Sequence, residues 1–438
     1  MNVTVETLAP CKKLMRVDVD AQAVDKSFDD VAKNFQKEVA LPGFRAGKAP
    51  FAMVTKRFET QIQEEVKKKL IGDSYRQAVK DQKLNVVGYP DIEEIQFGKG
   101  QTLQFAATIE TAPDFELPEY KGIAVKREST DVSDAEISGA IDRLRDRASQ
   151  FNTVARAALS TDLVVVNYTG TVEGKPITEI APASKGLTEQ KNFWVSADGE
   201  GFIPGFGNQL QGTSAGDKKT IELEFPAEFV QPLLSGKKGS YEVEVVEVKE
   251  KILPELTDEF AKTLGTETVD KLRDAVRLEL QNDRNGRQKR GIRDQLIKHM
   301  LDSVQCELPD GMVNQETRNL VYNIVNENQR RGVPKETIEA QKNDIFQGAT
   351  ITARERVKAS FIFGRIAEKE GVKVEQIEMV QRIQAMAAQY QTTPEKLAKD
   401  LQENGGINQV AEQVLHEKVL DLLAQNAKYE DVAAAPAA

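Results

Sequence analysis

The chain has 438 residues, 40% of them hydrophobic and 29% charged, so it is too long for one ordinary core and predicts about three domains. No apolar run approaches the roughly 20 residues that a membrane-spanning helix needs, and the first residues have neither the basic start nor the apolar core of a signal peptide. Two cysteines and two histidines (Cys11, Cys306, His299, His416) exclude a disulfide framework and argue against a metal centre. We therefore expect a cytoplasmic protein without a cofactor.

The net charge of −10 argues against a protein coated in nucleic acid. One stretch differs from the rest, since every charged residue between positions 43 and 57 is basic: Arg45, Lys48, Lys56 and Arg57. An acidic protein with one basic loop would contact an anionic partner at one place.

The first segment, residues 1–113, is predicted to be α+β. Val17 and Val19 alternate with polar residues as in a half-buried strand, and residues 103–109 alternate in the same way. One helical face is predicted by Val24, Phe28, Val31 and Phe35, and a second helix after Pro50 by Val54, Phe58, Ile62, Val66 and Leu70. The basic loop would then lie at an exposed tip between two helices, either as a binding site or as an ordinary helix–helix turn.

Residues 114–153 are predicted to be a linker that packs on the C-terminal domain. It begins with an extended crossing at residues 117–125 and continues as a helix capped by Ser133.

Residues 154–250 are predicted to form a compact, antiparallel β domain with a short helix. An apolar run at residues 163–168 ends at Thr169-Gly170, and residues 221–225 and 241–245 alternate. The apolar face changes at Val245-Val246, as it would at a β-bulge.

Residues 251–432 are predicted to form a helical domain, in which everything after Pro254 is helix. Their narrow apolar stripes favour arms or a loose bundle over a thick globule. One helix is expected to end at Gly371 and the last to begin at Ile407. Residues 433–438 are predicted to be a disordered tail.

The N-terminal loop contains Gly43, Phe44, Arg45, Gly47 and Pro50 in a Gly-Phe-Arg-x-Gly-x-x-Pro pattern, with Lys48 beside them. This pattern resembles the ribosome-binding signature of the trigger factor family. The resemblance implies docking at the ribosomal tunnel exit, against a ribosomal protein and rRNA. The family usually has lysine where this chain has Ala46, so we assign the contacts to Phe44 as an apolar plug and Arg45 as a planar cation.

The β domain resembles FKBP-type peptidyl-prolyl isomerases in residues 164–170, in residues 201–206, and at Gly212 and Ala215-Gly216. The resemblance implies an apolar pocket for proline, with the backbone N–H of Ile203 as a donor to the substrate. The side chains that would line it are Tyr168, Phe193 or Trp194, Phe202, Ile203, Phe206 and Tyr241. The alternative is that the aromatic residues only fill a β core.

Two departures from the FKBP pattern bear on the rate of isomerisation. Ile177 stands where an aromatic wall is usual, and Gln231 lies where a second tyrosine is often found. Such changes would lower the activity or suit the pocket to a different residue before proline.

The helical remainder resembles the trigger factor C-terminal domain, with residues 253–261 as its most recognisable part. The resemblance implies a cradle for unfolded chains. A candidate client-binding face, which would otherwise be intramolecular core, comprises Met379, Val380, Ile383, Met386 and Tyr390.

The expected fold is therefore multidomain α+β, with an α+β N-terminal domain, an FKBP-like β domain and an all-α C-terminal domain with helical arms.

The expected function is that of a ribosome-associated chaperone that binds nascent and unfolded polypeptides, isomerises prolyl bonds, and takes part in protein transport and cell division. The alternatives are a dedicated prolyl isomerase whose helices only target or dimerise it, and a pure ribosome-binding or RNA-binding module with an inactive β domain. The basic tip and the long helical remainder argue against the first, and the acidic balance argues against the second. No membrane partner is expected, and the sequence leaves open whether the free protein forms a homodimer.

Overall fold

The computed structural model of the chain describes residues 1–433 apart from 39, 40, 43, 45, 46, 183, 200 and 230. The strands, in chain order, are β1 (Asn2–Ala9), β2 (Lys12–Val19), β3 (Val86–Gln96), β4 (Leu103–Thr111), β5 (Ala124–Glu128), β6 (Gln150–Val154), β7 (Leu163–Val172), β8 (Lys175–Pro176), β9 (Glu189–Ser196), β10 (Lys218–Glu224), β11 (Lys238–Ile252) and β12 (Lys428–Val432). The helices are α1 (Ala21–Glu38), α2 (Phe51–Arg57), α3 (Glu59–Asp81), α4 (Asp134–Arg147), α5 (Ile177–Ile180), α6 (Lys185–Thr188), α7 (Asp258–Thr263), α8 (Val269–Ser303), α9 (Asp310–Arg330), α10 (Lys335–Ala340), α11 (Lys342–Glu370), α12 (Gln376–Gln389), α13 (Pro394–Glu403) and α14 (Ile407–Gln425).

The chain forms two compact units. The first unit holds Met1–Ser129 together with the chain from Gln288 onward, and the second unit holds Thr130–Arg287. Within the part that the structure describes, none of the helices combines the length and apolar character needed to cross a membrane.

The N-terminal part of the first unit is an antiparallel sheet, in the order β1-β2-β4-β3, covered by α1 and α3. Alternate residues of β2 and β4 face the helices, because side chains of a strand point to opposite faces in turn. Val17, Val19 and Phe105 are buried there, which confirms the predicted strands.

The single helix predicted after Pro50 is wrong, since the chain forms α2 and α3 with a break at Phe58. Phe58 leaves helical geometry, with φ −113° and ψ 24°. Its ring packs on Phe35 of α1, with centroids 6.3 Å apart. Phe58 and the predicted apolar face of α3 still contribute to this core, and Val54 of α2 is buried as well.

The helical part of the first unit has two apolar clusters. One joins α9 to α11, and the other joins residues 115–125 to α8, α11 and α14. Helix α11 ends at Gly371, which has the left-handed geometry (φ 69°) that glycine allows at a helix end, so that predicted terminus is confirmed.

The prediction that the chain is helical throughout after residue 254 is wrong at its end. Residues 428–432 form β12, which pairs in parallel with β5. The guanidinium of Arg127 binds the carboxylate of Asp431 at 2.6 Å across this pair. Of the predicted tail, only Ala433 lies within the described residues.

The second unit contains an antiparallel sheet in the order β10-β11-β7-β8, with β6 on β11 and β9 on β7. The pairing of β11 with β7 shifts between Val245 and Glu247, which confirms the predicted bulge. Strand β7 continues to Val172, so the prediction that it ends at Thr169-Gly170 is wrong.

Helix α4 is capped by Ser133, as predicted. The Ser133 hydroxyl accepts from the N–H of Glu136, and the Glu136 carboxylate accepts from the N–H of Ser133, which together form a capping box. Ile137 and Ile141 of this helix pack on Phe260, Leu272 and Val276.

The predicted fold class is confirmed, with α+β, antiparallel β and helical parts in that order.

Candidate functional site

Five aromatic side chains meet on the buried face of the second unit's sheet: Tyr168, Phe193, Phe202, Phe206 and Tyr241. This aromatic cluster has eight ring pairs with centroids 4.9 to 6.3 Å apart, all of them tilted or edge-to-face. Strands β7, β9 and β11 supply Tyr168, Phe193 and Tyr241, and the loop after β9 supplies the other two. The structure therefore brings together most of the predicted pocket residues.

Trp194 is not part of the aromatic cluster. Successive side chains of a strand point to opposite faces, so Phe193 and Trp194 cannot both face the core. The Trp194 ring packs edge-to-face on Phe151, with centroids 5.6 Å apart, and the Lys249 ammonium lies 5.2 Å from its centroid. Phe193, the other candidate at this place, is the one in the cluster.

The loop at residues 197–206 carries the remaining candidates. Ile203 and Phe206 are fully buried, and the Ile203 carbonyl accepts from the N–H of Phe206 at 3.0 Å. Phe202 has a φ of +53°, which a side-chain-bearing residue rarely adopts. In this conformation its ring contacts the other four rings of the aromatic cluster and covers the fully buried rings of Phe206 and Tyr241.

The two phenols of the aromatic cluster differ in their hydrogen bonding. The Tyr168 hydroxyl donates to the carbonyl of Gly186. The Tyr241 hydroxyl is buried and has no hydrogen-bond partner among the described residues. Burial raises the pKa of Tyr168 to about 12, and burial together with the nearby Tyr168 raises the pKa of Tyr241. Both phenols are therefore neutral at physiological pH.

Gly170 makes room for the Tyr241 ring. A Cβ atom at position 170 would lie 2.3 Å from Cε1 of Tyr241 and 2.8 Å from the carbonyl oxygen of Leu187. Position 170 pairs with Tyr241 across β7 and β11, so a side chain there would occupy the space of the ring.

The two departures from the FKBP pattern are both accommodated. Ile177 is fully buried and belongs to the same core as the aromatic cluster. The Gln231 amide donates to the Ser184 hydroxyl at 3.0 Å, so this side chain holds neighbouring loops together.

The aromatic cluster is apolar and its hydroxyls are neutral, and the rings of Tyr168, Phe206 and Tyr241 are buried beneath that of Phe202. With the Phe202 ring displaced, these groups would face an apolar ring and a polar amide. Such surroundings suit isomerisation of a prolyl bond, since that reaction breaks amide resonance and forms no covalent intermediate.

The N-terminal loop is described in part. Gly43, Arg45 and Ala46 lie outside the described residues. The Phe44 side chain is 39% exposed, Lys48 is exposed, and Pro50 immediately precedes α2. Gly47 has a φ of +77° that favours glycine.

The loop is attached to α1, since the Gln36 amide donates to the Ala49 carbonyl at 2.7 Å. Two further exposed apolar residues, Phe51 and Met53 on α2, were missed from the sequence. Helix α2 buries only Val54, so its other apolar side chains lie outside the core. This exposure is visible in the structure and was not predicted from the sequence.

The candidate client-binding face is mixed. Ile383 is buried, whereas Val380 and Tyr390 are exposed. Other large apolar side chains of the helical part that are exposed are Tyr322, Phe346, Ile351 and Ile377.

Protein-family models match most of the chain. The model described as "Bacterial trigger factor protein (TF)" matches residues 1–144, "FKBP-type peptidyl-prolyl cis-trans isomerase" matches residues 155–249, and "Bacterial trigger factor protein (TF) C-terminus" matches residues 268–425.

Two relatives resemble the chain over almost its whole length. The trigger factor of Opitutus terrae is 33% identical over 431 residues, which are 98% of this chain and 98% of the relative. The trigger factor of Alkalilimnicola ehrlichii is 30% identical over 433 residues, which are 98% of this chain and 93% of the relative. A solved structure described as "Promiscuous Substrate Recognition in Folding and Assembly Activities of the Trigger Factor Chaperone" covers 97% of this chain and 99% of its own, with a TM-score of 0.48 and 21% identity.

Proposed function

This chain belongs to the trigger factor family, and from that membership we propose that it binds nascent polypeptides at the ribosomal tunnel exit and isomerises their prolyl bonds. The family and the FKBP-type domain support the chaperone and isomerase roles. The proposal places this work in the cytoplasm and extends to protein transport and cell division through the nascent chains that the protein would bind.

The aromatic cluster is the observation that carries the isomerase proposal. The barrier to rotation about an amide is about 18–20 kcal/mol and comes from resonance. The twisted state has lost that resonance and is less polar than the planar amide, so an apolar site favours it. The substrate's proline ring would take the place of the Phe202 ring against Tyr168, Phe206 and Tyr241, and the Ile203 N–H would orient its carbonyl.

The test of this site is cis/trans turnover of a proline peptide by Phe206→Leu. We expect a clear loss of kcat/KM, because the fully buried ring forms the base of the aromatic cluster. The matched control is Phe225→Leu, since Phe225 is an equally buried phenylalanine of the same core that packs on Phe229 instead. Equal turnover by Phe206→Leu and Phe225→Leu would remove the cluster from the mechanism.

Docking on the ribosome is proposed through the N-terminal loop. Exposed apolar side chains at Phe44, Phe51 and Met53 lie among exposed cations, including Lys48, and no acid occurs between residues 43 and 57. An apolar surface with a basic rim fits a partner made of protein and RNA, because the cations contact phosphate while the rings fill a crevice.

Ribosome cosedimentation tests the docking proposal. We expect Phe44→Ala with Arg45→Ala to lose cosedimentation and to keep isomerase activity in solution. Tyr89→Ala is the control, because Tyr89 is a fully exposed aromatic residue of the same N-terminal part and lies outside the loop. Cosedimentation by the double variant at the level of the wild type would refute docking through this loop.

Client binding is proposed on the helical part of the first unit, where Tyr322, Phe346 and Ile351 are more than half exposed. Exposed apolar side chains among charges give weak contacts that suit many unfolded sequences. A triple variant in which Tyr322, Phe346 and Ile351 are each replaced by serine should suppress aggregation of an unfolded protein less well than the wild type. Full suppression would favour the alternative, a dedicated isomerase whose helices serve only targeting or dimerisation.

A further inference from the structure

The Tyr241 hydroxyl is a buried polar group in an apolar site. Its side chain is fully buried, and the ring contacts those of Phe206, Tyr168 and Phe202 at centroid distances of 5.4, 5.8 and 6.3 Å. No described residue offers the hydroxyl a hydrogen bond. A buried donor without a partner destabilises a protein, so such groups in native structures usually have a functional reason or a bound water.

The position of the ring is fixed by the backbone around it. Gly170 leaves the space that the ring fills, and a Cβ at Gly239, on the ring's other edge, would lie 3.4 Å from Cε2 of Tyr241. The neighbouring phenol differs, since the Tyr168 hydroxyl already donates to Gly186. Of the two hydroxyls in the aromatic cluster, that of Tyr241 is therefore the one without a partner among the described residues, and a ligand that displaces the Phe202 ring would meet it.

We propose that the Tyr241 hydroxyl donates a hydrogen bond to the prolyl imide of the bound substrate and so adds to the isomerisation of that bond. This inference rests on the proposed isomerase function of the aromatic cluster. It makes Tyr241 a group that contacts the reacting atoms as well as a wall of the site.

The chemistry of the imide favours a donor at this place. A neutral phenol has a proton to give, and burial keeps Tyr241 neutral by raising its pKa. When the C–N bond twists, the nitrogen regains its lone pair and becomes an acceptor that it was not in the planar amide. A donor that gains its partner only in the twisted state lowers the barrier, and one that bonds the carbonyl in both states only strengthens binding. In a low-dielectric site, either bond is stronger than it would be in water.

Tyr241→Phe in the full chain is the test, because it removes one oxygen and keeps the ring. We expect kcat/KM for a proline peptide to fall about fivefold, the equivalent of one neutral hydrogen bond. A fall in kcat would assign the bond to the twisted state, and a rise in KM would assign it to the ground state.

The stability of the β domain supplies the second readout. Trp194 is the only tryptophan of the chain and lies on β9 of this domain, so its fluorescence reports unfolding of the domain within the full chain. If the hydroxyl is unpaired before substrate binds, Tyr241→Phe should keep or raise the urea midpoint. Tyr168→Phe, which breaks an existing hydrogen bond, should lower it.

Two results would overturn the proposal. One is unchanged kcat/KM in Tyr241→Phe, and the other is a lower urea midpoint, which would show that a bound water or a loop already satisfies the hydroxyl. The proposed isomerase function itself is tested separately, by the turnover of a proline peptide by Phe206→Leu. If Phe206→Leu loses activity and Tyr241→Phe does not, the aromatic cluster stands and only the role of the hydroxyl falls.

Discussion

The close approach of β7 to the Tyr241 ring makes Gly170→Ala a sensitive test of the aromatic cluster. The new methyl group would lie 2.3 Å from Cε1 of Tyr241 and 2.8 Å from the Leu187 carbonyl oxygen, so the ring or the strand must move. Overpacking of this kind costs about 1–3 kcal/mol. Replacing glycine by alanine also stabilises a protein by about 0.4–1 kcal/mol, because alanine restricts the unfolded chain. The overlap is severe enough for the first effect to dominate, and we expect a net loss of about 1–2 kcal/mol.

Urea unfolding followed by Trp194 fluorescence measures this loss, and the isomerase assay should show reduced turnover at the same time. The control is Gly186→Ala, since a Cβ at position 186 meets no atom within 4 Å. The cause is tested by repeating Gly170→Ala in a Tyr241→Leu background, where the ring is gone. The cost should shrink there by about 1 kcal/mol, as expected for residues in contact. An equal cost in both backgrounds would refute the steric explanation.

Polar side chains of the second unit give three further predictions. Ser133→Ala should lower the protection of α4 amides from hydrogen exchange by about 1 kcal/mol, and Ser133→Asp, which keeps a capping oxygen, should not. Asp162→Asn should lower the urea midpoint by the equivalent of about 2 kcal/mol, because the buried carboxylate accepts from Arg156 at 3.1 Å and from the Leu159 N–H at 2.8 Å. The same Arg156 hydrogen bonds lower the pKa of Asp162. The stability that they give is therefore present above the ordinary aspartate pKa and is lost as the pH falls through the lowered pKa. A urea midpoint of Asp162→Asn that depends on acid pH as the wild type does would contradict this. Since burial raises the pKa of Tyr168 to about 12, the urea midpoint should fall as the pH rises from about 10 to 12, and Tyr168→Phe should flatten that dependence.

Features of the fold that are set by neighbours in the sequence could be predicted. The Ser133 cap, the helix end at Gly371 and the bulge after Val245 each follow from a few adjacent residues. Two members of the aromatic cluster, Phe202 and Phe206, were predicted from the resemblance of residues 201–206 to the FKBP pattern, which is itself a motif of adjacent residues.

Features set by distant residues could not be predicted. Strand β12 exists because β5, about 300 residues earlier, offers it a partner, and nothing within residues 428–432 indicates this. The break at Phe58 depends on packing against Phe35 in another helix. The choice between Phe193 and Trp194 depends on the register of β9 with β7, and the unpaired Tyr241 hydroxyl depends on the surroundings of one atom. The domain boundaries and the roles of the site residues stay predictions.

The packing of helix α8 decides how the chaperone and isomerase roles can be separated by experiment. Leu272 and Val276, near its start, bury Ile137 and Ile141 of α4, and residues 292–300 of the same helix belong to the core of the first unit. A chain that ended at residue 253 would therefore lose part of the core of each unit as well as the exposed apolar side chains. Loss of aggregation suppression in such a chain would follow from unfolding alone. Substitutions of exposed residues such as Tyr322 leave both cores intact, and a loss of chaperone activity in them can be assigned to client binding.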